Sequence, residues 1–154
     1  MGLNMWFLWV FGKNVEDRLG RARFLAFYFL TGVTAGLTHA IFSPKSPLPT
    51  LGASGAISGV LGAYIVLFPT ARIVSLVPIF LFLVTVQVPA FIFLGLWFAG
   101  QFLSGIASFG MPAMGGTAWF AHIGGFLSGV ILVKMLDKGS IRRHRRRFSE
   151  GDDY

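Results

Sequence analysis

The chain has 154 residues, 55% of them hydrophobic and only 12% charged, with 17 Phe and 4 Trp. A water-soluble domain carries charge on roughly a quarter of its residues, whereas here no Asp or Glu lies between Asp17 and Asp137. So long a stretch without a carboxylate cannot keep a globular surface wet, and its solvent is lipid.

The net charge of +7 would suit nucleic acid, but the excess sits in Arg142, Arg143, Arg145, Arg146 and Arg147, just beyond an apolar segment. Basic residues there mark the cytoplasmic side of a membrane and meet anionic headgroups, so no nucleic-acid partner is expected. The lack of cysteine excludes disulfides, thiolate metal sites and a cysteine nucleophile.

In chain order, residues 1–11 form a first apolar stretch, short for a span that needs about 20 residues. It has neither the basic start nor the cleavage pattern of a signal peptide, and reads as the remnant of a membrane helix. A charged connector, 13–22, leads to a second apolar stretch at 23–42. A connector holding Pro44, Pro47 and Pro49 leads to a third at 54–68. The fourth zone, 73–105, is almost unbroken apolar sequence with Pro78 and Pro89. An uncharged Gly-rich loop, 104–117, precedes the fifth stretch at 118–136.

Charge parity decides how often the fourth zone crosses. Lys13, Arg18, Arg21 and Arg23 put the first connector inside. A single crossing then leaves the Gly-rich loop outside and the basic tail inside, and of all basic residues only Lys45 falls outside. The spanning helix is expected near 89–103, with 73–88 an interfacial or re-entrant apolar segment kinked at Pro78. The expected fold class is all-α, a polytopic transmembrane helical bundle over residues 1–137. Residues 138–154 are expected to form a basic, disordered cytoplasmic tail, and the membrane is expected to be the plasma membrane.

Polar groups in lipid are costly unless paired or facing a cavity, so the few present are functional candidates: Asn4, His39, Ser54, Ser58, Gln87, Gln101, Ser104 and His122. In Gly52-Ala53-Ser54-Gly55 a serine stands at the mouth of a helix. The backbone N–H groups of the helix start point there toward any developing oxyanion. The plainer alternative is that Ser54 caps the helix. In Ala121-His122-Ile123-Gly124-Gly125 a histidine stands in the first turns of a helix entering from the same side. Small residues at Gly55, Gly59, Gly62, Gly125 and Gly129 allow close approach of the two backbones. That brings imidazole toward hydroxyl, the minimum for an activated serine; the competing reading is a histidine packed on a carbonyl.

With no acid on the outer side, a Ser-His-Asp triad cannot be built, and a Ser54–His122 dyad with histidine oriented by packing is expected. Neither an aspartyl site nor a three-ligand zinc site is available, so no metal or cofactor is expected. His39 is a weaker alternative base. Gln101 and Ser104 are expected to bond between helices or line the site entrance.

Gly52-Ala53-Ser54-Gly55-Ala56-Ile57-Ser58-Gly59, Ala121-His122-Ile123-Gly124-Gly125-Phe126 and the opening Asn4-Met5-Trp6-Phe7-Leu8-Trp9-Val10-Phe11-Gly12, followed by Asn14-Val15-Glu16-Asp17, resemble bacterial rhomboid intramembrane serine proteases. The resemblance implies Ser54 as nucleophile and His122 as general base. It implies Asn4 as oxyanion donor beside the Gly52-Ala53 backbone, and loop 104–117 as a cap over the site. The partners it implies are the lipid bilayer and single-span membrane proteins, cut near the outer face. The family's His-x-x-x-Asn pattern maps Asn4 onto its asparagine and puts the histidine one residue before Met1. About five of the usual six helices are therefore expected, with a truncated N-terminus. Two other classes compete: an inactive rhomboid-like protein that binds transmembrane helices, and a small transporter, which would spread polar residues through the midplane.

Overall fold

The computed structural model describes residues 2–44, 53–79, 82–107 and 119–137. Helix α1 (Gly2–Phe7) continues through a π turn (Leu8–Gly12) into α2 (Lys13–Leu19). Helical dihedrals at Phe7, Gly12 and Lys13 keep this run unbroken. The charged segment expected as a connector is thus helical as far as Leu19. The break comes at Gly20, whose φ of 82° is open to glycine and strained for other residues.

Helix α3 (Arg21–Phe42) follows, then α4 (Ser54–Leu67), α5 (Ala90–Ala107) and α6 (Trp119–Leu136). Helices α3, α5 and α6 are long and apolar enough to cross a membrane. Their outward faces carry Leu25, Phe29, Leu37, Leu96, Leu103 and Ile131 in exposed positions. Such a belt is stable only against acyl chains.

Helix α4 differs. Its 14 residues extend only about 21 Å, and every residue from Gly55 to Tyr64 is buried. A helix apolar all round belongs at the centre of a bundle, and glycine lets its neighbours close on it. A Cβ at Gly59 would lie 2.5 Å from Thr31 of α3. One at Gly125 or Gly129 of α6 would strike the carbonyl oxygen of Gly55 or Gly59.

These pairings fix direction. Residues 55 and 59 meet 125 and 129, so α4 and α6 run parallel, while Phe42 stacks on Phe120 and Thr34 donates to Ser128 at 3.0 Å, so α3 is antiparallel to α6. At the far end the Arg18 guanidinium holds the Asp137 carboxylate (Nε–Oδ1 3.1 Å), tying α2 to the end of α6.

Between α4 and α5 the structure departs from an all-helical reading. Residues 72–89 form an antiparallel hairpin of β1 (Arg72–Ile79) and β2 (Phe82–Pro89), with Arg72 opposite Pro89 and Ile79 opposite Phe82. The expected kinked interfacial segment is replaced by paired strands. The stretch is rich in Val, Ile and Thr, whose branched Cβ favours extended backbone over helix. The expected 89–103 helix is present as α5.

Candidate active site

Ala53, not Ser54, occupies the N-cap of α4, and no side chain caps the helix there. Ser54 is the first helical residue, so the capping alternative does not hold. Its carbonyl accepts the Ser58 hydroxyl at 2.8 Å, which accounts for that buried serine as a helix-internal bond.

Depth follows from the neighbours. A Cβ on Gly55 would stand 2.5 Å from Cβ of Ala35 and 3.6 Å from the carbonyl oxygen of Ala121. Ala35 lies seven residues before α3 ends at Phe42, so Ser54 begins about 10 Å below that end. His122 adjoins Ala121 in the first turn of α6. The two candidate residues therefore flank a single helix–helix contact, at one depth, toward the Phe42 end of the bundle.

The imidazole is held from α5. Its Nδ1 lies 2.7 Å from Oε1 of Gln101, and the Trp97 ring sits 6.0 Å away, centroid to centroid. To the packing expected from sequence the structure adds a specific hydrogen bond. Trp97 and Gln101 share a face of α5 by their four-residue spacing. Gly105 extends that stripe, with space for a Cβ only 3.1 Å from Ile123. Sequence could flag Gln101 as a polar residue in a span, but not which partner it takes.

Asn4, half-buried, lies on α1. Phe11 packs edge-on against Tyr64 at 5.0 Å and Arg18 reaches Asp137, so the Gly2 end of this run points toward the Ser54 end of α4. Counting 1.5 Å per residue from the Phe11–Tyr64 contact puts Asn4 about one turn short of the Ser54 level. Gly52 and most of the loop 104–117 lie outside the described residues, as do Lys45 and the tail 138–154. His39 stands one turn beyond Ala35 on the same face of α3, and its buried Nδ1 has no hydrogen-bond partner among the described residues.

This is a multi-pass helical membrane protein organised around a short, buried central helix. Residues 1–138 match the Rhomboid domain family, and the chain belongs to it. It is 34% identical to "Rhomboid protein 1, mitochondrial" of Saccharomyces cerevisiae, over 96% of this chain and 40% of that protein. It is 32% identical to the human "Presenilin-associated rhomboid-like protein, mitochondrial", over 86% of this chain and 33% of that one. With "Rhomboid protease GluP" of Bacillus subtilis the identity is 43%, over 41% of this chain and 12% of that protein. The chain thus spans well under half the length of these relatives. No solved structure matches it.

Proposed function

We propose that the chain is an intramembrane serine endopeptidase that cuts single-span membrane proteins near the outer face through a Ser54–His122 dyad. The observation that carries this reading is the glycine-mediated crossing of α4 and α6, with Gly55 against Ala121 and Gly125, because Ser54 and His122 are the chain neighbours of that contact.

In this mechanism His122 Nε2 takes the Ser54 hydroxyl proton as Oγ attacks the scissile carbonyl, then returns it to the leaving amine. The oxyanion is met by the Ser54 backbone N–H at the helix start and by the Asn4 amide. A transmembrane helix hides its carbonyls in its own hydrogen-bond ladder, so substrates with helix-destabilising residues near the outer face are favoured. Ser54 begins about 10 Å below the end of α3, inside the bundle but toward one surface of it.

The positive-inside pattern supports an orientation with the basic tail in the cytoplasm of a plasma membrane, and the likeness to the Bacillus subtilis protease agrees with it. The mitochondrial names of other relatives favour a second reading, a membrane of that organelle.

The test is cleavage of a single-span test substrate by the reconstituted chain. Ser54→Ala and His122→Ala should each reduce the rate by roughly a thousandfold or more. A Ser54→Ala chain that cuts as well as the parent ends the proposal. A parent that retains the substrate helix without cutting it points to the helix-binding alternative.

A further inference from the structure

We infer that Gln101 is a positioning residue for this site, its side-chain oxygen fixing His122 in the tautomer that leaves Nε2 free to accept the Ser54 proton. The inference rests on the dyad reading above and adds the group that orients it.

Gln101 Oε1 stands 2.7 Å from Nδ1, and an amide oxygen carries only lone pairs, so with the oxygen toward the ring the contact is a hydrogen bond when Nδ1 bears the hydrogen. A neutral imidazole has a single N–H. With Nδ1 protonated, Nε2 keeps its lone pair, the form that a general base requires. A serine protease usually assigns this task to a buried aspartate, but no Asp or Glu lies between Asp17 and Asp137. An ionised carboxylate buried within a bundle is heavily penalised by desolvation, whereas an amide supplies the same acceptor without charge.

The contact is also built rather than incidental. Trp97, one turn earlier on α5, flanks the same ring. Gly105, one turn later, brings α5 close to Trp119 and Ile123 of α6. Three successive turns of α5 thus fit around the start of α6, with Gln101 in the middle one.

The tautomer can be read without any assay of cleavage. The full chain, labelled with ¹⁵N-histidine and held in lipid nanodiscs at a pH where the ring is neutral, should show His122 with its proton on Nδ1, its signals identified by their loss in His122→Ala. Gln101→Leu should give a mixture of tautomers or the Nε2–H form, and Gln101→Glu, which keeps an acceptor oxygen, should retain the Nδ1–H form. Labelling of Ser54 by a fluorophosphonate should slow by about tenfold or more in Gln101→Leu and be largely rescued in Gln101→Glu.

A parent with the proton on Nε2, or a leucine variant with unchanged spectrum and labelling rate, overturns the inference. If Gln101→Leu does not fold, the parent and glutamate spectra still decide it. An Nδ1-protonated His122 in a parent that neither labels nor cuts upholds the contact and overturns the proteolytic reading instead.

Discussion

At His122 the chain solves a problem set by its own composition. No carboxylate lies between Asp17 and Asp137, and the proposed base instead has an amide, Gln101, at hydrogen-bond distance from Nδ1. Two histidines lie near the Ser54 level, and only His122 has a hydrogen-bond partner for its Nδ1 among the described residues. His39→Ala should retain most of the cleavage rate, within a few-fold of the parent, while His122→Ala should lose it; equal losses would make His39 a partner in the chemistry. Ser54 and His122 stand out as candidates in sequence because Gly52 and Gly55 lie around the one and Gly124 and Gly125 follow the other at a helix start, a pattern tied to close approach. Gln101 is legible as a polar residue that bonds between helices or lines an entrance, but its partner is not. An amide looks the same in sequence whether it bridges two helices, lines an entrance or holds a catalytic ring.

Elements meet here through backbone. Gly129 presses on the Gly59 carbonyl, whereas a Cβ at Gly95 would meet nothing within 4 Å. Gly129→Ala should therefore destabilise the bundle by about 1–3 kcal/mol through forced separation of α4 and α6. Gly95→Ala should be neutral or slightly stabilising, since alanine is the better helix former. Thermal unfolding of the two variants in the same detergent checks the contrast, and equal shifts would contradict the packing described. The small-residue spacing at Gly55, Gly59, Gly125 and Gly129 made this interface readable beforehand. The hairpin at 72–89 was not, because a continuous apolar run fits a buried helix, a re-entrant segment or a strand pair equally well. Only its density of β-branched residues leaned toward strands. The helix through 13–19 was missed for a related reason: its charges marked a membrane edge, which a helix can pass as easily as a loop.

Over the described residues, two side-chain pairs mark the opposite ends of the bundle. The His122–Gln101 pair lies toward the Phe42 end, and the Arg18–Asp137 pair lies at the other. Asp137→Asn should cost about 2 kcal/mol of stability by weakening a charge-assisted bond, with fluorophosphonate labelling of the folded fraction unchanged. A loss of labelling without loss of stability would tie that end to the chemistry. Because the chain has no cysteine, single-cysteine variants report orientation cleanly. Lys45→Cys and Ser149→Cys should be labelled by an impermeant maleimide from opposite sides of a sealed vesicle, and labelling from one side would overturn the topology. The central claim is that a hydroxyl starting α4 and an imidazole starting α6 act as one unit. Its most direct measurement is fluorophosphonate modification of the reconstituted chain, located by mass spectrometry. An adduct on Ser54 is expected in the parent, with its near-complete loss in His122→Ala. An adduct elsewhere, or on Ser54 at an undiminished rate without His122, would contradict it.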